Sequence, residues 1–443
     1  MNISDGELME GVLEAHGYEI CADPEEAEVI LVNTCAIREH AEKRVLGRVS
    51  QLCGLKRDRP DLIIGVTGCM AQRMGESLLE KAPYVDLVMG PDGYRSLPER
   101  LAALVEGRRI RPSRSAKRRG PQLAVLDLHL GENYEGLDPR RLSRISAWVP
   151  VQRGCDHRCT FCIVPYVRGP EKNRSPGEVL REIERIADSG LTEVTLLGQT
   201  VNSYKAEGQS FPDLLRSVAR VPGIRRVRFT SPHPNDVTAD LLDVMAEEAT
   251  TCEQLHLPLQ SGSDRTLRRM LRRYTVKAFF EKVELARKMI PDIALSTDVI
   301  VAFPGETRDE FEETLDVMRT VRFDDAYTYR FSLREGTPAT RFPPEDFVPD
   351  GESQERLERL IEVHRGIQAE INESEVGRLE TVLVEKEARG TGQILGRTRR
   401  NKVVAFLGSP ELIGTYQEVR LTHTTGATFV GESSAAPAQT GSA

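Results

Sequence analysis

Three cysteines fall within eight positions, Cys155, Cys159 and Cys162, in the segment RGCDHRCTFCIVP. Three thiolates on one tight loop can hold three irons of a [4Fe–4S] cluster, and the fourth iron then stays open to a substrate or cofactor. A zinc knuckle is the competing reading, with His157 as a fourth ligand. His157 lies inside the loop, where simultaneous tetrahedral ligation is awkward, so the cluster reading is preferred. Cys35 and Cys69 form a second pair, in NTCAIRE and GVTGCMAQ. A free cysteine usually belongs to a core, but each of these follows an apolar run and sits in a turn containing Asn or Gly. They read as metal ligands, whereas Cys21, Cys53 and Cys252 have no such context and read as core or incidental surface. Weaker signals surround these. The turn Gln260-Ser261-Gly262-Ser263 can offer hydroxyls and backbone N–H groups to a polar cofactor, or simply cap a helix. The helix after it carries Arg265, Arg268, Arg269, Arg272 and Arg273, which read equally as phosphate contacts or as a solvated face. Trp148, the single tryptophan, reads as core.

The elements that must position these residues come in three groups. Over 1–106 short apolar runs (EVILVNTC, LIIGVTGC, VDLVMG) alternate with helical spacing, which implies a small parallel sheet covered on both faces. Cys35 and Cys69 then share one edge of that sheet, the edge where open α/β sheets take their ligands. The alternation opens on a helix, so a first strand is expected upstream of Met1. Residues 107–140, rich in Arg, Pro, Gly and Ser, read as a basic linker. From 141 to 371 six further candidate strands (AWVPVQ, EVTLLG, RRVRFTS, QLHLPL, ALSTDVIVAF and DAYTYRFS) alternate with helices. The starts at Ser175-Pro176-Gly177-Glu178 and Thr307-Arg308-Asp309-Glu310 read as capping boxes. Six βα units suggest an open partial barrel, whose chemistry sits at the C-terminal strand ends. Those ends carry Cys155, Gln199, Ser231, Gln260, Asp298 and Arg330. Residues 373–435 alternate at period two with frequent Gly, as a small β-barrel does, and 436–443 read as a disordered tail. The fold class expected is therefore α/β, with a small parallel-sheet domain, a central open (βα)6 partial barrel and a C-terminal β-barrel.

Composition narrows the function further. The 443 residues hold 60 Lys or Arg against 68 Asp or Glu, a net charge of -8, which argues mildly against a nucleic-acid partner. The basic residues are bunched, however, in GRRIRPSRSAKRRG (107–120) and GRTRRNK (396–402), and local runs can bind phosphate on an acidic protein. No run approaches the ~20 apolar residues of a membrane span, and the N-terminus has no signal-peptide pattern. A cytoplasmic protein with reduced cysteines is expected.

The loop RGCDHRCTFCIVPYVRG resembles the cluster loop of radical S-adenosylmethionine enzymes. Together with NTCAIRE, GVTGCMAQ, LPLQSGS, STDVIVAFPGET and the terminal barrel, which is similar to a TRAM domain, it resembles the methylthiotransferases over nearly the whole chain. LLGQTVNSY and VRGPEKNRSP are similar to the MiaB-type branch, which acts on N6-isopentenyladenosine at tRNA position 37. The resemblance implies two [4Fe–4S] clusters and S-adenosylmethionine. Cys155, Cys159 and Cys162 match the ligands of the radical-generating cluster, and Cys35 and Cys69 match two of the three ligands of an auxiliary cluster. The third ligand, in the family, lies in a segment opening the chain. Met1-Asn2-Ile3-Ser4-Asp5 resembles the part just after it, so either that ligand lies upstream of Met1 or this chain lacks it. Phe161, Gln199, Gln260, Ser261 and Asp298 are expected to bind S-adenosylmethionine. Arg268, Arg272, Arg397, Arg399, Arg400 and Lys402 are expected to meet RNA. The implied partners are tRNA through its anticodon-loop adenosine, an electron donor such as a flavodoxin, and a sulfur source, with the enzyme a monomer. Rival readings are a methylthiotransferase acting on a ribosomal protein or on threonylcarbamoyladenosine tRNA, and a non-catalytic iron–sulfur protein that binds RNA.

Overall fold

Four strands, β1 (Val29–Thr34), β2 (Ile63–Gly68), β3 (Leu87–Met89) and β4 (Leu123–Val125), lie side by side in that order and all run parallel. This is the first unit of a computed structural model that describes residues 1–36, 39–110, 121–390 and 392–434. Successive β2 side chains point to opposite faces. Ile63 joins Leu8, Leu97 and Leu101 in one core, while Ile64 and Val66 join Val49, Leu52 and Leu78 in the other. Helices on both faces thus bury a strand that is apolar on both sides.

The segment expected as a linker differs from that expectation. Its triplet Leu123–Val125 is β4, too short to show periodicity in sequence yet paired with β3 residue by residue. Tyr134, in the same segment, is buried and donates its hydroxyl to the carbonyl of Pro91 at 3.0 Å. Residues 111–120 of the basic run lie outside the described residues, as does the tail 436–443.

The central unit has the six expected strands: β5 (Ser146–Pro150), β6 (Glu193–Leu197), β7 (Arg226–Phe229), β8 (Gln254–His256), β9 (Ala294–Val301) and β10 (Asp325–Arg330). Pairing is parallel within β5–β6–β7 and within β8–β9–β10. One parallel bridge, Val227 to Thr251, joins the two halves into a curved open wall. Thr307 makes the full reciprocal capping box with Glu310. Ser175 makes only half of its box: its hydroxyl accepts from Glu178 N–H at 3.2 Å, but its own N–H is taken by Glu135 Oε1 at 2.7 Å.

The helix Asp350–Glu375 leads to a closed five-stranded barrel, β11 (Leu379–Glu387), β12 (Gln393–Arg397), β13 (Val403–Leu407), β14 (Tyr416–Thr424) and β15 (Thr428–Ser433), in the order β11–β12–β13–β15–β14. Its core is Val382, Val384, Ile394, Val404, Phe406 and Phe429 with their neighbours. Among the described residues no helix is long and apolar enough to cross a membrane.

Candidate active site

The three-cysteine loop leaves the C-terminal end of β5, where barrel chemistry is expected. Its base is clasped by a two-stranded antiparallel ladder, Gln152–Arg153 against Lys172–Asn173. Cys155 N–H donates to Gly169 O at 3.2 Å and Cys162 N–H to Cys159 O at 3.0 Å. Thr160 pins the flank: its N–H donates to Met270 O at 3.1 Å and its hydroxyl to Arg269 O at 3.0 Å. Burial pushes the Cys155 thiol up, and pushes Cys162 up to about 12 with the repulsion of Cys159 added. Crowded thiols in such a place become thiolates only against a cation. A donor set of three sulfurs, the only cysteines on this loop, suits a cluster with one open iron.

His157, the fourth ligand of the zinc reading, is engaged in a stack and does not form a zinc site jointly with His233. Its ring stacks on His233 with centroids 4.1 Å apart and planes 9° apart. Their ligand atoms and a carboxylate oxygen of Asp236 lie within 4.8 Å of one another. A metal lies in the plane of each imidazole that binds it, and two parallel stacked planes share no such point. Burial drives His233 down to about 2, so the ring is neutral.

Around the mouth, three non-glycine residues follow successive strands with left-handed backbone: Ser231 (φ 59°), Gln260 (φ 68°) and Ala302 (φ 58°). Such strain gathers at ligand sites. Gln199 presents a buried Oε1 without a partner among the described residues. Phe161 stands edge-on to Phe303, with ring centroids 6.3 Å apart. Ser261 is buried and its hydroxyl accepts from Ser263 N–H at 3.2 Å. The turn is held tight because a Cβ at Gly262 would come within 2.5 Å of Thr314 Cα. Below the mouth a cavity of about 630 Å³ fills the barrel, and Trp148, Asp298, His256 and Tyr327 are among its walls. Trp148, expected in the core, therefore borders this cavity. His256 Nε2 sits 3.3 Å from Asp298 Oδ2 and its Nδ1 3.0 Å from Ser296 Oγ.

The second cysteine pair faces the same loop. Register pairs Thr34 with Gly68, so Cys35 and Cys69 are the next residues on adjacent strands. Gly68 (φ 93°) admits no side chain, because a Cβ would meet Thr34 O at 2.3 Å. Cys69 packs against Ala36, Ile163 and Val167, the last two from the segment just after Cys162. Buried Arg168 closes the gap: its Nε donates to Cys69 Sγ at 3.1 Å while its Nη2 meets Asp5. The N-terminal amino group shares the electrostatic surroundings of Cys35, Cys69, Asp5 and Arg168. The units are locked together by Asp92, whose Oδ1 and Oδ2 accept from Arg153 and Lys172, each at 2.7 Å. Asp5, Asp92 and Arg168 were not singled out in sequence. Only the position of Arg168, six residues after Cys162, could have pointed to it.

The basic run 396–402 corrects the expectation placed on it. Arg399 pairs with Glu253 at 2.8 Å, Arg400 with Glu375 at 2.7 Å and Glu380 at 2.6 Å, and Lys402 with Asp324 at 2.8 Å. Arg397 reaches Glu385 at 3.2 Å. Arg228 of β7 donates to the carbonyls of Arg399 and Thr398, both at 2.8 Å, and Arg226 to that of Arg397 at 2.9 Å. Arg399 and Lys402, with Arg226 and Arg228, fasten the small barrel beneath the large one, while Arg397 and Arg400 pair within the small barrel and with the helix that leads to it. Arg272 is likewise buried, whereas Arg268 is exposed and has no ion-pair partner among the described residues.

A three-cysteine loop at the mouth of an open parallel barrel defines the class: residues 149–318 match the radical SAM superfamily. Residues 373–432 match the TRAM domain, and 1–90 the uncharacterized protein family UPF0004. The chain belongs to the family of tRNA-2-methylthio-N(6)-dimethylallyladenosine synthases. It is 42% identical to the one from Thermoanaerobacter sp. (strain X514) over 98% of this chain and 90% of that protein. To the one from Carboxydothermus hydrogenoformans it is 40% identical, over 95% of this chain and 94% of that protein. Among solved structures, the radical S-adenosylmethionine methyltransferase TsrM from Kitasatospora setae shares the fold. It has a TM-score of 0.57 at 18% identity, covering 76% of this chain and 73% of that one.

Proposed function

We infer that this chain replaces the C2 hydrogen of N6-isopentenyladenosine, at position 37 of tRNA, by a methylthio group. One S-adenosylmethionine supplies the methyl group, and a second, cleaved at the reduced cluster held by Cys155, Cys159 and Cys162, supplies the radical that removes the hydrogen. The carrying observation is the meeting of two cysteine sites, Cys35 with Cys69 and the three-cysteine loop, across Arg168. A sulfur carrier and a radical source must both reach one carbon, and this juxtaposition supports that requirement. Cys35 and Cys69 are the residues we assign to an auxiliary cluster. Phe161 and the strand-end residues Gln199, Gln260, Ser261 and Asp298 bind S-adenosylmethionine. Gln199 Oε1 accepts one of its donors and Phe161 offers an apolar face. Exposed Arg268 meets anticodon-loop phosphates, and the target base is splayed out of its stack to enter. An external one-electron donor of the flavodoxin class supplies reduction.

The test is the anaerobically reconstituted chain given reductant and S-adenosylmethionine. Production of 5′-deoxyadenosine and methionine is expected, and its absence from iron-loaded protein would favour a non-catalytic RNA-binding protein. Iron near eight per monomer, the content of two [4Fe–4S] clusters, supports the auxiliary assignment. Iron that does not fall in Cys35→Ala or Cys69→Ala, with radical chemistry intact, removes it.

A further inference from the structure

Arg272 is 9% exposed. It follows the short helix Asp264–Arg269, donates from Nη1 to Cys159 Sγ at 3.5 Å and from Nε to Tyr274 Oη at 3.2 Å. No carboxylate among the described residues forms an ion pair with it. The other arginines buried around the mouth are different, since Arg153 meets Asp92 and Arg168 meets Asp5. An isolated buried cation is expensive, and a protein that keeps one holds it against a charge still to arrive. The neighbours do not supply that charge. His157 and His233 stack on each other, Tyr274 offers a phenol oxygen that accepts from Arg272, and the carboxylate of Asp236 is grouped with the two histidines. The group Arg272 touches is a cysteine of the three-sulfur set.

An oxidised [4Fe–4S] core has two positive charges, so with three thiolates the assembly carries one net negative charge and, after accepting one electron, two. We propose that Arg272 is the counter-ion of this cluster, a positioning residue that holds the added electron and so sets the potential at which the cluster accepts it. The proposal rests on the assignment of Cys155, Cys159 and Cys162 as cluster ligands. Attraction to a fixed positive charge grows with each negative charge, so removing Arg272 makes reduction harder. Hydrogen bonds to sulfur and local charge are established controls on cluster potential.

The experiment compares wild type, Arg272→Gln and Arg272→Lys as full chains, anaerobically reconstituted, with iron content measured first. Each is poised with dithionite and redox mediators, and the reduced fraction is read by electron paramagnetic resonance. Arg272→Gln, which keeps size and hydrogen-bonding but not charge, is expected to lower the reduced-to-oxidised ratio about tenfold at a fixed potential, a 59 mV shift for one electron. Arg272→Lys, which keeps the charge, is expected to stay within about threefold of wild type. Arg272→Gln that fails to load iron while Arg272→Lys loads it also supports the proposal, since charge is what separates the two. An unchanged ratio in Arg272→Gln, with weakened S-adenosylmethionine binding, would assign the guanidinium to the cofactor's carboxylate and overturn the proposal. Failure of both variants to load iron would assign it to packing and overturn it too. Wild-type protein without a cluster would instead sink the underlying assignment.

Discussion

Asp92 is the residue to remove if the first unit is to be loosened from the barrel. It is buried, as are its partners Arg153 and Lys172. Its two oxygens accept from them at 2.7 Å each, and Oδ2 also accepts from His129 N–H at 2.9 Å. Asp92→Asn keeps the shape and leaves two cations facing a neutral amide. At an effective dielectric near 20 each pair is worth about 4 kcal/mol before desolvation, and breaking a buried pair by removing one partner costs about 3–5 kcal/mol. Two features limit the loss. Arg153 keeps the carbonyl of Glu132 at 2.9 Å and the Tyr134 ring 3.4 Å from its guanidinium carbon. Lys172, already pushed down by burial, can release its proton. We expect about 3–5 kcal/mol of lost stability, read by urea unfolding through the fluorescence of Trp148, the only tryptophan. Because Arg153 and Lys172 form the ladder at the base of the cluster loop, iron retention should fall in parallel. Adding Lys172→Met should recover part of the loss. A change below about 1 kcal/mol in Asp92→Asn would show that this triad does not lock the units, and the reasoning would fail.

Other expectations follow from the same contacts. Cys159→Ala leaves two sulfurs on the loop, so reconstituted protein should lose most of its iron there and form no 5′-deoxyadenosine; wild-type cleavage would refute the ligand assignment. Deleting residues 373–443 removes the carbonyl acceptors of Arg226 and Arg228 and exposes the floor of the cavity, so tRNA affinity and S-adenosylmethionine cleavage should fall together. A truncated chain with full cleavage would show that the small barrel is an independent module. His233 is held neutral, with its folded value near 2 against an ordinary value near 6.5. The unfolded chain therefore binds more protons below about pH 6.5, and stability should fall as pH drops, by about 1.4 kcal/mol per unit from this group. His233→Asn should flatten that slope between pH 6 and 5, and an unchanged slope would place the titration elsewhere.

Much of this was legible in sequence because the signals are local. Cys155, Cys159 and Cys162 share a loop, and β1, β2 and the six barrel strands are apolar runs closed by turn residues. The adjacency of Cys35 and Cys69 was legible as well, since both end a parallel strand. What was hidden depends on pairing between distant residues. β4 is three residues long and gains its identity only beside β3. The run 396–402 reads as free positive charge until Glu253, Glu375, Glu380 and Asp324, all outside it, are brought against it. Arg272 looked like one more arginine on a basic helix face, and its burial beside Cys159 comes from the turn at Met270 and Leu271, where Leu271 takes a left-handed φ of 56°. Charge runs say how many cations there are, not which carboxylates already hold them.

The central claim is tested most directly by the product. The reconstituted, reduced 443-residue chain should be incubated with S-adenosylmethionine and three substrates in parallel: tRNA bearing isopentenyladenosine at position 37, the same tRNA without that group, and a ribosomal protein. Nucleosides and peptides are then read by mass spectrometry. The account predicts a methylthio group on the isopentenylated adenosine alone, with the C2 hydrogen recovered in 5′-deoxyadenosine when that position carries deuterium. Methylthiolation of the protein instead, or of tRNA with deuterium retained at C2, would contradict it.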